Sequence, residues 1–134
     1  MIVDASVASH WFVDTEFSAA ADPYRALSGL VAPMFLLVET ANVLCKQARV
    51  GEIPAERCVE SIDLLQSSMT ELVADVELLP QAMNLALRMR HSIYDCLYLA
   101  LALERRETLI TADRRLAALA GTLNIPTELI EPVS

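Results

Sequence analysis

The sequence predicts an α/β fold, a parallel sheet covered by helices on both faces. Short apolar or β-branched runs recur at residues 1–3, 31–32, 70–73, 108–111 and 127–130, and stretches of helical periodicity separate them. Strands that alternate with helices in this way form parallel sheets. At 134 residues with 54% hydrophobic side chains and few Gly or Pro, the chain has material for one core and does not read as disordered. The expected organisation is one domain over residues 1–134, with no internal repeat.

The elements follow in order. Residues 1–3 form a short buried strand that ends in Asp4, with Asp4 or Ser6 available to cap the next helix. Open parallel sheets bind ligands beyond the carboxyl ends of their strands, so Asp4 is expected to face that crevice. A first helix over 7–13 turns Val7 and Trp11 inward, and Asp14, Glu16 and Ser18 mark a polar turn. Pro23 is a favourable first residue for a helix over 23–30. After the strand at 31–32, the helix over 33–50 is apolar around most of its circumference, which argues for burial between other elements. Gly51 ends it, and a short turn leads into an antiparallel helix over 54–67 whose inward stripe is Val59, Ile62 and Leu65.

The second half repeats the pattern. The strand at 70–73 precedes a helix over 81–89 through Met83, Leu85, Ala86 and Met89. Ser92 starts a helix to about 104, the strand at 108–111 follows, and a helix over 113–120 closes at Gly121 before an edge strand at 127–130.

Charge and composition exclude several classes. Ten basic and 18 acidic residues give 10 − 18 = −8, a field that repels phosphate backbones at long range. A nucleic-acid substrate would therefore need local compensation from metal ions or arginines, and nine of the ten basic residues are Arg. No apolar run is long enough to span a bilayer, and the first residues lack the basic start of a signal peptide, so a cytoplasmic protein with no membrane partner is expected. Cys45, Cys58 and Cys96 form no C-x-x-C pair and read as small buried hydrophobes; His10 and His91 have no ligand-like spacing.

Four carboxylates stand out. Glu39 lies in the apolar stretch 35–44, where an unpartnered buried charge costs several kcal/mol, and Asn42 one turn later could hydrogen-bond it. Asp95 is a second acid in a strongly apolar helix, although Ser92 with Asp95 three residues on also fits a capping box. Asp113 closes a strand at a helix start, repeating the logic of Asp4. In a parallel sheet all four can converge on one crevice. Carboxylates 4 Å apart repel by about 4 kcal/mol per pair at an effective dielectric near 20, so such a cluster needs cations. Oxygen ligands without His or Cys select Mg²⁺ or Mn²⁺.

Four blocks, Met1-Ile2-Val3-Asp4-Ala5-Ser6-Val7, Val38-Glu39-Thr40-Ala41-Asn42-Val43-Leu44, Tyr94-Asp95-Cys96-Leu97-Tyr98-Leu99-Ala100-Leu101-Ala102 and Thr111-Ala112-Asp113-Arg114-Arg115-Leu116, resemble in order and spacing the PIN-domain ribonucleases, with VapC-type toxins of type II toxin-antitoxin pairs the nearest likeness. The resemblance implies a Rossmann-like three-layer α/β/α sandwich, an acidic site of Asp4, Glu39, Asp95 and Asp113, and one or two Mg²⁺ or Mn²⁺ ions. Ser6, Asn42 and Thr111 match the polar positions around those acids. It also implies an RNA substrate cut to 5′-phosphate and 3′-hydroxyl ends, a cognate antitoxin and a homodimer, for which Leu36, Leu37 and the helix-hairpin surface offer apolar area. Asp4, Asp95 and Asp113 are the expected metal ligands, and Glu39 a ligand or a general base acting through water. Some members carry a further acid just after the position of Asp113; here Arg114 and Arg115 follow, which leaves a second ion with fewer ligands and offers two cations to the RNA strand.

Other classes fit less well. A phospho-accepting receiver domain wants a lysine after a late strand, and Lys46, the only lysine, falls on a helix. A haloacid-dehalogenase-like phosphatase wants a second Asp where Ser6 stands. The non-enzymatic alternative, an inactive PIN-like binding module, predicts a broken acid set, whereas all four acids are present.

Overall fold

In the computed structural model, which describes residues 1–133, the sequence's first strand stands at the centre of the sheet. The five strands are β1 (Ile2–Val3), β2 (Val31–Pro33), β3 (Glu71–Val73), β4 (Leu109–Thr111) and β5 (Thr127–Leu129), in the order β3-β2-β1-β4-β5 with every pairing parallel. Seven α-helices flank them: α1 (Ala5–Ala8), α2 (Ser18–Arg25), α3 (Phe35–Arg49), α4 (Glu56–Ser68), α5 (Asp75–Met89), α6 (Ile93–Arg105) and α7 (Arg114–Thr122). Right-handed crossovers place α1 to α4 on one face, where α1 packs on α3 and α3 on α4. The others lie on the opposite face, where α6 lies across β2, β1 and β4. The expected three-layer α/β/α sandwich is what forms. Ser134, the last residue of the expected domain, lies outside the described residues.

The order of strands locates the crevice. From β1 the chain steps outward to β2 and β3, then returns past β1 to β4 and β5. The chain therefore leaves β1 and β4 in opposite directions, and such a switch point opens a crevice beyond the carboxyl ends of the two strands. Ile2, Val3, Leu109 and Ile110 are fully buried there. Helix α6 is buried from Cys96 through Ala102, with Tyr98 its largest buried side chain. Only residues 106–108 separate the end of α6 from β4, so its first turn lies at the carboxyl edge of the sheet.

Several expected boundaries shift. Pro23 lies inside α2, which begins at Ser18. A turn formed by Thr15 and Ser18, with Thr15 N–H donating to Ser18 Oγ at 2.9 Å and Phe17 N–H to Thr15 Oγ1 at 3.0 Å, starts this helix where a polar turn was expected. Pro80 likewise lies inside α5, whose true start is Asp75, an acid at the favourable end of the helix dipole. The first helix is shorter than 7–13 and passes into a 3-10 turn over Ser9–Trp11. Gly121 does not close α7; the chain leaves it through Asn124, which takes the left-handed conformation (φ 58°). Gly51 (φ 81°) turns α3 into α4 as expected.

The two apolar-helix readings also need correction. On α3 only a stripe of Leu36, Thr40 and Leu44 is fully buried, and Val38 is 66% exposed. A helix at the outer layer of a sandwich has one covered side, however apolar its sequence. On α4 the inward residues are Ser61 and Leu65, while Val59 is 74% exposed. Of the cysteines, only Cys96 is buried and Cys45 is exposed; all three are free. No helix among the described residues is long and apolar enough to cross a membrane.

Burial separates two neighbouring side chains of α3. Leu36→Ala should cost about 2–5 kcal/mol, because it empties a filled site, while Val38→Ala should stay within about 0.5 kcal/mol. Urea unfolding of both variants checks the pair.

Candidate active site

Asp4 follows β1 and is 4% exposed. It does not cap α1 through its side chain. Both carboxylate oxygens are instead held by hydroxyls: Ser6 Oγ donates to Oδ1 at 2.6 Å and Thr111 Oγ1 donates to Oδ2 at 2.7 Å. Each hydroxyl has one proton to give, so each meets the backbone as an acceptor: Ala112 N–H donates to Ser6 Oγ at 2.8 Å and Asp113 N–H to Thr111 Oγ1 at 3.0 Å. The turn after β1 and the turn after β4 are thereby tied together through one carboxylate.

The electrostatics of Asp4 are unusual. Burial pushes its carboxyl up from an ordinary 3.8 to about 7, the hydroxyls of Ser6 and Thr111 oppose that shift, and the charges of Glu39 and Asp113 add to it. None of its hydrogen-bond partners is a cation.

The other acids arrive from three helix starts. Glu39, in the second turn of α3, accepts a hydrogen bond from the buried Tyr98 hydroxyl at 2.8 Å. Burial raises its carboxyl, the Tyr98 bond lowers it, and Asp95 and Asp113 raise it further. Tyr98 in turn is held well above the usual phenol range by burial and by Glu39. Asp113 caps α7, its Oδ1 accepting from Arg115 N–H at 2.9 Å and Leu116 N–H at 3.2 Å. The capping role is therefore real for Asp113 and leaves its second oxygen free of those bonds. Asp95 does not close a capping box. Ser92 caps α6 by accepting from Tyr94 N–H at 3.1 Å, and Asp95 Oδ2 accepts from His91 Nε2 at 2.7 Å.

The structure thus places the charges of Glu39 and Asp113 on Asp4, and those of Asp95 and Asp113 on Glu39, at one edge of the sheet. It does not draw them into a closed cage: among the described residues no three His, Cys, Asp or Glu side chains stand close enough to surround an ion. Asn42 is exposed and makes no hydrogen bond to Glu39; the partner is Tyr98. The sequence carried a signal for it, since a tyrosine inside a fully buried helix must find an acceptor. His91 was also missed, although it stands four residues before Asp95. Arg114 and Arg115 are exposed, and Arg114 approaches Glu131 at 3.8 Å rather than Asp113. A cavity of about 380 Å³ bounded by His10, Asp22, Arg25 and Arg57 lies elsewhere, and none of the acids lines it.

Acids gathered beyond the carboxyl ends of a parallel sheet, one of them buried without a counter-charge, mark the edge where such folds bind their ligands. The profile of the PIN domain family matches residues 1–122 of the 134, and the chain belongs to that family. PIN domains have a nuclease-like fold and are generally nucleases that use divalent metal ions. Among solved structures, the chain is similar to PAE2754 from Pyrobaculum aerophilum, with a TM-score of 0.70 and 24% identity over 91% of each chain, a likeness of fold. No curated protein matches the sequence at a significant level.

The donor set fits a hard divalent cation. It is oxygen-only, it includes a buried carboxylate lacking a cation, and Mg²⁺ needs only one or two carboxylates because it retains several waters. Without metal, the ionised form of Asp4 is penalised in the folded chain. Below about pH 4 folded and unfolded chains both hold the proton and no penalty exists; above about pH 7 the penalty is complete, on the order of 4 kcal/mol at most. Metal-free protein should therefore lose stability as pH rises through that window. Asp4→Asn should lack this component, and melting curves of both proteins in EDTA from about pH 4 to about pH 8 measure the difference.

Proposed function

We propose that this PIN domain is a Mg²⁺- or Mn²⁺-dependent endoribonuclease acting as the toxin of a VapC-type toxin-antitoxin pair. The observation that carries the enzymatic part is Asp4, a buried carboxylate oriented by two hydroxyls at the β1/β4 switch point with the charges of Glu39 and Asp113 nearby. The toxin part is supported by the resemblance of the four sequence blocks.

Each residue has a distinct task. Asp4, Asp95 and Asp113 would hold the ion, with Glu39 a further ligand or a general base. When bound, the ion would lower the pKa of a coordinated water and neutralise charge on the phosphate under attack. Ser6 and Thr111 fix both oxygens of Asp4, so its carboxylate plane is set before any ligand arrives. Tyr98 holds Glu39 Oε1, and burial, which raises the carboxyl of Glu39, makes it a better proton acceptor toward water than a free glutamate. Arg114 and Arg115, exposed at the start of α7, can reach phosphates flanking the scissile bond. An antitoxin segment that places Arg or Lys among the acids would compete with the ion and inhibit.

A second copy of the chain is the other proposed partner, on a face different from the one expected. Leu36 is fully buried and offers no surface. Helix α5 instead exposes Val76, Leu79, Met83 and Leu87 in one stripe. Asp75 and Glu77 lie at one end of that helix, Arg88 and Arg90 at the other. Two copies packed antiparallel across a two-fold axis would match acid to base at both ends.

Asp4→Asn should lower Mg²⁺-dependent cleavage of a pool of structured RNAs by about 100-fold or more, with an unchanged circular dichroism spectrum. Wild-type protein freed of any partner that leaves such RNA intact with either metal overturns the enzyme reading. Light scattering should find a dimer for wild type and a monomer for the Met83→Glu, Leu87→Glu double variant; equal masses would remove α5 as the interface.

A further inference from the structure

Asp95 is the one acid of the crevice with an imidazole on it. Its Oδ2 lies 2.7 Å from His91 Nε2, and a carboxylate has no proton to offer, so Nε2 carries the hydrogen and donates. The His91 side chain is only 5% exposed against 26% for Asp95. The ring is therefore enclosed by protein while the carboxylate it holds keeps access to the crevice.

The backbone around His91 is built to this end. Arg90 ends α5 in the left-handed conformation (φ 52°, ψ 50°), with its N–H and that of His91 both donating to Ala86 O. A non-glycine residue there is strained, so tertiary contacts must hold it. Ser92 then caps α6 with its hydroxyl, and the Asp95 carboxylate, which a capping box would send back to the Ser92 N–H, bonds His91 instead. The link from α5 to α6 is thus short enough to fold residue 91 back over the first turn of α6, and Asp95 is left free to turn to the imidazole.

We propose that His91 is a positioning residue: its Nε2–H fixes the rotamer of Asp95 by holding Oδ2, so that the other oxygen is presented to the divalent ion of the acidic crevice. The inference rests on the reading of Asp95 as a metal ligand. Carboxylate ligands depend on such outer hydrogen bonds, and their loss costs about 10- to 100-fold in metal affinity. Glutamine places its amide Nε2 the same number of bonds from Cα as histidine places Nε2, so His91→Gln keeps the donor, whereas His91→Phe keeps bulk and removes it.

Calorimetric titration with Mg²⁺ alone, beside melting curves in EDTA, tests the assignment. The expected result is about tenfold weaker Mg²⁺ binding for His91→Phe, recovery to within about threefold for His91→Gln, and no further loss when His91→Phe is added to Asp95→Asn. Unchanged Mg²⁺ affinity in His91→Phe, with binding abolished in Asp95→Asn, overturns the role of His91 and leaves the metal site standing; a lower melting point alone would then mark His91 as a staple of the helix start. Equal affinity in wild type and Asp95→Asn removes Asp95 from the site and the inference with it. If His91→Phe fails to fold, the Gln variant decides: weakening as large as that of Asp95→Asn counts against a donor role, and near-wild-type binding supports it.

Discussion

A carboxylate buried at the end of the central strand without a counter-charge is the constraint around which this structure is arranged. Asp4 is 4% exposed, and two neutral hydroxyls orient it without cancelling its charge. Left to stability alone, such a position would carry an apolar side chain, since replacing a charge that lacks a partner by a hydrophobe relieves the desolvation cost. The fold tolerates it because the two turns that supply the hydroxyls are themselves held by the sheet's central pairing, Ile2 with Leu109 and Val3 with Ile110. The same pairing leaves Asp4 and Asp113 beside the switch point.

The rest of the crevice is assembled by helix direction. Helices α3, α6 and α7 each start at the carboxyl edge of the sheet, so an acid in a first or second turn is delivered there without any loop of its own. Glu39, Asp95 and Asp113 use three different local devices once they arrive: a phenol from the facing helix, an imidazole from the preceding turn, and the amides of the helix that Asp113 caps. Each device satisfies one carboxylate oxygen, and none of the three uses a lysine or arginine side chain. The crevice is consequently fixed in the orientation of its acids, with no lysine or arginine side chain to balance their charge.

Much of this was legible in the residues. Apolar runs ending in Asp4 and Asp113 revealed strands, their direction and the acids at their ends, because a strand terminus and a cap leave local marks. Ser6 and Thr111 were visible as polar neighbours, though that both bond to Asp4 depends on the pairing of β1 with β4. What local sequence could not carry was the outward limit of burial. The apolar circumference of α3 hid the exposure of Val38, and Val59 seemed to face inward on a helix whose covered side is set by Ser61 and Leu65. Pro23 misled, and the helix expected over 81–89 likewise began too late, past Pro80. Proline is favoured at a helix start, but a start already fixed by Thr15 and Ser18, or by Asp75, carries the helix through it. Asn42 was assigned to Glu39 by spacing on one helix, whereas the true partner, Tyr98, comes from 59 residues away and across the sheet edge.

The pairing of β1 with β4 has a consequence for the order in which the protein is made. Asp4 leaves the ribosome well before its partners, because the strand beside it and the hydroxyl of Thr111 come more than a hundred residues later. At about 5–20 residues per second, roughly 5 to 20 seconds of translation separate the two halves of the crevice. Until then the central strand has β2 for a neighbour on one side and an unpaired edge on the other. A nascent chain that has not yet released β4 cannot possess an assembled acidic site.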